Sequence, residues 1–184
     1  DLLHELYIDA IDIAPGKYFP EPEKATDKEI NKVKNWWSSN GIEIIGMQAL
    51  LFGKVEMNVF GTEESRLMML QYLKAICHIG SVLGSKRIVF GSPKNRDCTG
   101  LNELETKTIA TNFFRSLGDI AKKEGVVICI EPLPTSYGNN FMTTSTETAR
   151  MIATICHPSI KMQLDSGAMN INDEDPFKIL LKYA

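Results

Sequence analysis

Two carboxylates sit where catalysis at a sheet rim wants them. Glu131 closes the apolar run VVICIE, and Asp165 closes SIKMQLD. A strand that stays apolar until its last residue, and then presents an acid, puts that acid on one rim of a sheet. Two consecutive parallel strands ending this way bring their acids together, and paired carboxylate oxygens suit a hard divalent cation. Either acid taken singly reads equally well as a helix cap or a solvated loop charge; their equivalent positions favour the cation. Polar groups that follow other strands are candidates for binding a substrate there: Gln48, then Ser92, Lys94 and Arg96 in GSPKNR, and Asn140. GSPKNR is turn-rich and is not a phosphate-cradling glycine loop, so Lys94 and Arg96 read first as solvated charges. Asp12, inside an apolar run, reads as a structural hydrogen-bonding group.

The elements that must position these residues alternate strictly. AIDIAP, IEIIGMQ, RIVF, VVICIE and SIKMQLD are short apolar strands, with ends near Ala14, Gln48, Gly91, Glu131 and Asp165. Between them lie amphipathic helices. Capping boxes are expected at Thr26/Glu29, Asn102/Glu105 and Thr144/Glu147, and Asp175-Pro176 starts a last helix. The buried stripes are expected at Ile30, Val33 and Trp37, then Leu70, Leu73, Ile76, Cys77 and Leu83, then Ile109, Phe113, Leu117 and Ile120. The segment KYFPEPEK reads as a proline-rich loop. Trp36 and Trp37 cannot both face the core from one helix, so Trp36 is left for the surface, where it offers an oligomer contact. Alternating strands and helices imply a parallel sheet with right-handed crossovers. An open flavodoxin-like sheet and part of a (β/α)₈ barrel both satisfy that pattern. Parity favours the barrel: the face that carries Asp165 also carries Gln163 and Lys161, and a doubly wound sheet wants apolar residues on both faces.

Composition narrows the rest. The chain has 184 residues, 43% of them hydrophobic, and a net charge of −3. That is ample for one core, offers no basic face for nucleic acid, and contains no apolar run of membrane-spanning length. Cys77, Cys98, Cys129 and Cys156 lack metal-ligand spacing; Cys77, Cys129 and Cys156 fall in helical or strand patterns and read as buried, reduced thiols, which points to a cytoplasmic protein. Both ends, at Asp1 and Ala184, fall inside helical patterns and look cut.

With these residues in view, IEPLPTSYGNNFMTTSTETARMI followed by HPSIKMQLDSGAMNINDEDP resembles the sugar phosphate isomerase/epimerase group of xylose isomerase-like barrels. The similarity runs upstream through DAIDIAP, GMQALLFG, NVFG and RIVFGSPKNR, and so covers nearly the whole chain. It implies a parallel (β/α) TIM barrel in which residues 1–184 form a single, incomplete domain, lacking the first strand and the last two βα units. It further implies a divalent ion at the C-terminal rim, Mn²⁺ or Mg²⁺ first, with Co²⁺ or Zn²⁺ also suitable. Glu131 and Asp165 match its first two ligands; a His and a second Glu belong beyond Ala184, and His4, His78 and His157 match neither. The implied chemistry is isomerisation or epimerisation of a small sugar or sugar phosphate. Glu131 acts there as the base that takes the proton α to a carbonyl, by way of an enediolate. Two positions depart from related ketose epimerases: Ala168 replaces a substrate-binding His, and Tyr137 replaces an acid. Two other readings compete. Apurinic-site endonucleases share the superfamily but need several histidine ligands and a basic DNA face. A non-catalytic barrel fragment would expose sheet edges that invite pairing with another chain.

Overall fold

A computed structural model describes residues 2–183, the side chain of His4 excepted. The expectation that Asp1 and Ala184 lie inside helices falls on residues outside that range. In chain order the elements are α1 (Leu2–Glu5), β1 (Ala10–Ile13), α2 (Pro15–Tyr18), α3 (Asp27–Ser39), β2 (Glu43–Met47), α4 (Glu63–Leu83) and β3 (Arg87–Phe90). They continue with α5 (Glu103–Glu124), β4 (Val127–Ile130), α6 (Ser145–Ile155), β5 (Ile160–Met162), α7 (Ser166–Ile171) and α8 (Pro176–Tyr183). The five strands form one parallel sheet in the order β1-β2-β3-β4-β5. A doubly wound sheet reverses its order at a switch point. This sheet never does, and α3, α4, α5 and α6 pack each on the next along one side of it. It is a barrel wall, and the flavodoxin-like alternative is excluded.

The core fills the space between sheet and helices. Ile13, Ile44, Met47, Ile88, Phe90, Ile128, Ile130 and Ile160 meet Leu73, Ile76 and Cys77 of α4, Phe114, Leu117 and Ala121 of α5, and Ile155 of α6. Phe114 is central: its ring lies edge-on to Phe90 at 5.4 Å and to Phe113 at 5.3 Å, a favourable quadrupole geometry. Ile44 and Met47 are three residues apart yet both reach this core. A bulge makes that possible: Ile11 pairs with Ile44 but Asp12 pairs with Gly46, which leaves Ile45 as the extra residue and 48% exposed. The bulge restores parity, so Gly46 and Asp12 share the concave face.

The capping boxes at Thr26/Glu29 and Asn102/Glu105 form as expected. At α6 the box is displaced by one residue. Thr144 accepts from the Glu147 N–H, but the Glu147 carboxylate takes the N–H and hydroxyl of Thr143. Trp36 is exposed, with Trp37 packed against the core. Three expectations need correction. The segment KYFPEPEK is not all loop, because Pro15 and Pro22 each start a short helical turn where a fixed φ costs nothing. Cys156 is exposed, not buried, because it terminates α6 in the left-handed region at φ 50°. The last strand ends at Met162, and SGAMNI is the unexpected helix α7. No helix among the described residues is long and apolar enough to cross a membrane.

Candidate active site at the rim of the fourth and fifth strands

Glu131 stands one residue past β4, but its backbone is still held as part of the strand. Its N–H donates to the Phe90 carbonyl at 3.0 Å, and its own carbonyl accepts from Arg96 Nη2 at 2.7 Å. The side chain leans back over β3, into space that exists because residue 91 is glycine. A Cβ there would lie 2.6 Å from Glu131 Oε2. The Asp12 carboxylate uses the same device, lying where a side chain on Gly46 would stand.

Asp165 reaches the rim differently. Cys129 pairs with Lys161 and Ile130 with Met162, so continuing the register sets Gln163 opposite Glu131 and Asp165 two residues beyond. The two acids are therefore not at equivalent strand ends. Asp165 caps α7, its Oδ1 accepting the Ala168 N–H at 2.6 Å. The helix-cap reading of Asp165 is thus realised, and it leaves Oδ2 free of that bond. Both acids are half-buried. Burial, and then the nearby charge of Asp165, raise the proton affinity of Glu131 above the ordinary carboxylate range, while Arg96 opposes the rise. Two carboxylates near enough for the charge of one to act on the other, in partial burial, form an oxygen donor set that fits a hard divalent cation and whose mutual repulsion a cation would relieve. Among the described residues, no group of three or more His, Cys, Asp or Glu side chains is placed to hold an ion. The pair offers two candidate ligands among the described residues.

Around the pair, the predicted substrate contacts scatter. Ser92 follows Gly91 directly, at the left-handed φ of 52°. Lys94 is exposed on the loop that follows. Arg96 is the main correction: it is not solvated but completely buried, and burial pushes its pKa down to about 10. Its Nε and Nη1 have no hydrogen-bond partner among the described residues. Asn140 is occupied in structure. Its amide nitrogen donates to Asp97 Oδ1 at 2.6 Å and Thr99 Oγ1 at 3.0 Å, and its oxygen accepts the Cys98 N–H at 3.0 Å. It lines a groove between α5 and α6 with Cys98 and Arg150, where neither acid is a wall. Gln48 lines a cleft of about 820 Å³ at the ends of β1 and β2, with Asp12, Lys17, Phe52 and Tyr72. Glu131 and Asp165 are not among its walls.

Sequence reasoning missed the hub that joins these loops. Three consecutive residues reach three different places. Asn95 donates to the carbonyls of Lys54 at 2.6 Å and Met57 at 2.7 Å, and accepts from the Val59 N–H at 2.9 Å. Arg96 grips Glu131, and Asp97 grips Asn140. The run Asn-Arg-Asp, polar at every position, was the available signal. His78 and His157 stay outside the site. His78 bridges Asp27 at 2.8 Å and Glu124 at 3.1 Å, joining α3, α4 and α5. His157 lies against Gly118, 3.4 Å from Asp119.

Comparison with known proteins agrees with this fold. A D-psicose 3-epimerase structure determined with D-fructose superposes at a TM-score of 0.78, with 16% identity, covering 98% of this chain and 61% of that one. An Escherichia coli 3-keto-D-glucoside 4-epimerase gives 0.79 and 19%, covering 99% and 67%. An AP endonuclease family 2 protein from Brucella melitensis gives 0.78 and 14%, covering 98% and 67%. The chain thus spans about three fifths of the psicose epimerase, and these likenesses establish fold alone. No curated protein matches the sequence significantly. The family model for the xylose isomerase-like TIM barrel matches residues 1–183, and the chain belongs to that family.

Proposed function

We propose that this chain carries half of the metal site of a sugar isomerase or epimerase, with Glu131 and Asp165 as two ligands. A small sugar or sugar phosphate is the substrate. The observation that supports this most is the pair itself: two half-buried acids, one just past β4 and one at the α7 cap that follows β5, on the C-terminal rim where barrel enzymes keep their chemistry. A bound Mn²⁺ or Mg²⁺, or in their place Co²⁺ or Zn²⁺, supplies Lewis-acid polarisation of the substrate carbonyl and its neighbouring hydroxyl. Glu131 takes the proton from the carbon α to that carbonyl, and the electron pair moves to the carbonyl oxygen to give an enediolate. Return of the proton to the adjacent carbon, with the hydroxyl proton of the first carbon passing to the enediolate oxygen, gives the isomer. Delivery to the opposite face of the first carbon gives the epimer and calls for a second acid, which the resemblance places on a later strand. Asp165, with Oδ1 committed to the α7 cap, acts as a ligand alone. The epimerases among the structural neighbours support the choice of substrate class.

Hydrogen exchange tests the reading. Full-length protein with Mn²⁺ in D₂O should place deuterium on the carbon next to the carbonyl of a responsive ketose, and Glu131→Gln should abolish it. Exchange that persists in Glu131→Gln, or that is absent across a broad panel of ketoses and ketose phosphates, would refute it.

A further inference from the structure

Arg96 poses an energetic question that packing does not answer. It is the largest of the fully buried side chains, yet it forms a single hydrogen bond, to the Glu131 carbonyl, and two of its nitrogens are unpartnered among the described residues. Burying a guanidinium with donors unsatisfied costs stability, and apolar replacements at such positions are often neutral or stabilising. Groups kept at such a cost cluster where function uses them.

Its one bond falls at an informative place. The β4 ladder ends at Ile130, and beyond it the Glu131 N–H is tied to Phe90. The carbonyl of Glu131 has Arg96 instead of a strand neighbour. Pro132 follows and contributes no N–H. Arg96 thus extends the rigid part of β4 by one residue, the one whose carboxylate leans over Gly91. Asn95, next door, secures a different segment, residues 54–59, and so separates a general loop-holding role from one directed at Glu131.

We propose that Arg96 is a positioning residue that fixes the backbone of Glu131, and through it the carboxylate, at the rim. This rests on the proposed role of Glu131 and deepens it. The test compares Arg96→Met, Arg96→Lys, Asn95→Ala and Glu131→Gln in the full-length protein. Thermal midpoint, Mn²⁺ affinity by titration calorimetry, and kcat and KM on whichever ketose exchanges deuterium are measured for each. In Arg96→Met the midpoint should be unchanged or higher, because a desolvated cation is removed. Mn²⁺ binding should weaken by about threefold or more, and kcat should fall about tenfold or more with KM nearly constant, the signature of lost alignment. Arg96→Lys, which keeps a donor and a charge, should recover part of both, and Asn95→Ala should change kcat less than Arg96→Met does. Wild-type kcat and Mn²⁺ affinity in Arg96→Met overturn the proposal, as does a loss of activity that only follows a lowered midpoint, or an equal loss in Asn95→Ala. If Glu131→Gln alone loses turnover and Mn²⁺ binding, the functional reading stands and the role of Arg96 falls. If the wild-type protein neither binds Mn²⁺ nor exchanges deuterium with any ketose, the functional reading itself has failed.

Discussion

Replacing Gly91 by alanine adds one methyl group at the end of β3, and Glu131 has no room for it. The new Cβ would stand 2.6 Å from Oε2, whereas ordinary contact begins at 3.4 Å. The carboxylate must therefore retreat by the difference, about 0.8 Å, or turn to another rotamer. Gly91 is not among the glycines at positive φ, so alanine meets no backbone penalty and should keep or slightly raise stability, by about 0.4–1 kcal/mol at best. A misplacement near 1 Å costs a reacting group about 10²-fold, and kcat is expected to fall by about 10- to 100-fold. Thermal melting and steady-state kinetics on the same preparation are sufficient. Wild-type kcat in a stable Gly91→Ala protein would refute the placement of Glu131 at the reacting centre.

Other consequences are independent of the substrate. Cys156 is exposed and Cys77 is buried on the inner face of α4, with burial pushing the Cys77 thiol up to about 12; iodoacetamide at pH 8 should label Cys156 and leave Cys77 unmodified in the native protein, as read by peptide mass spectrometry. Labelling of Cys77 at the rate of Cys156 would contradict the packing of α4. The hydrogen bonds that His78 donates to Asp27 and then to Glu124 raise its pKa above the unfolded value. Its contribution is therefore complete below about pH 6.5 and lost as pH rises through the folded pKa. The wild type should exceed His78→Gln in thermal midpoint at pH 5.5 by more than it does at pH 8.5, modestly because the side chain is 43% exposed and screened. Phe114→Ala should cost about 3–5 kcal/mol in urea unfolding, since both Phe90 and Phe113 lose their edge-on partner.

Much of this was legible before any coordinates. The strand–helix alternation, the barrel wall, the cap residues Thr26 and Asn102, and the split between Trp36 and Trp37 follow from periodicity and side-chain size. What escaped has a common cause: it depends on contacts between segments far apart in the chain. Arg96 read as solvated because loop arginines usually are, and nothing nearby in sequence shows that β4 and the Glu131 carbonyl close over it. Asn140 read as a substrate contact because its partners, Asp97 to Thr99, come from the preceding βα unit. Gly91 read as an ordinary loop opening, since only the lean of Glu131 across β3 gives its missing side chain meaning. Asp165 read as the end of a strand, yet the segment after Met162 turns into α7 and recruits it as a cap. The bulge at Ile45 was invisible for the same reason, being defined only by β1.

The pairing of Glu131 with Asp165 as ligands of one ion is tested most directly by titrating Mn²⁺ calorimetrically into full-length wild-type protein, Glu131→Gln and Asp165→Asn. One site is expected in the wild type, with affinity reduced about tenfold or more in each variant, as for the loss of a charged ligand. Unchanged Mn²⁺ affinity in both variants would contradict a metal site at this rim.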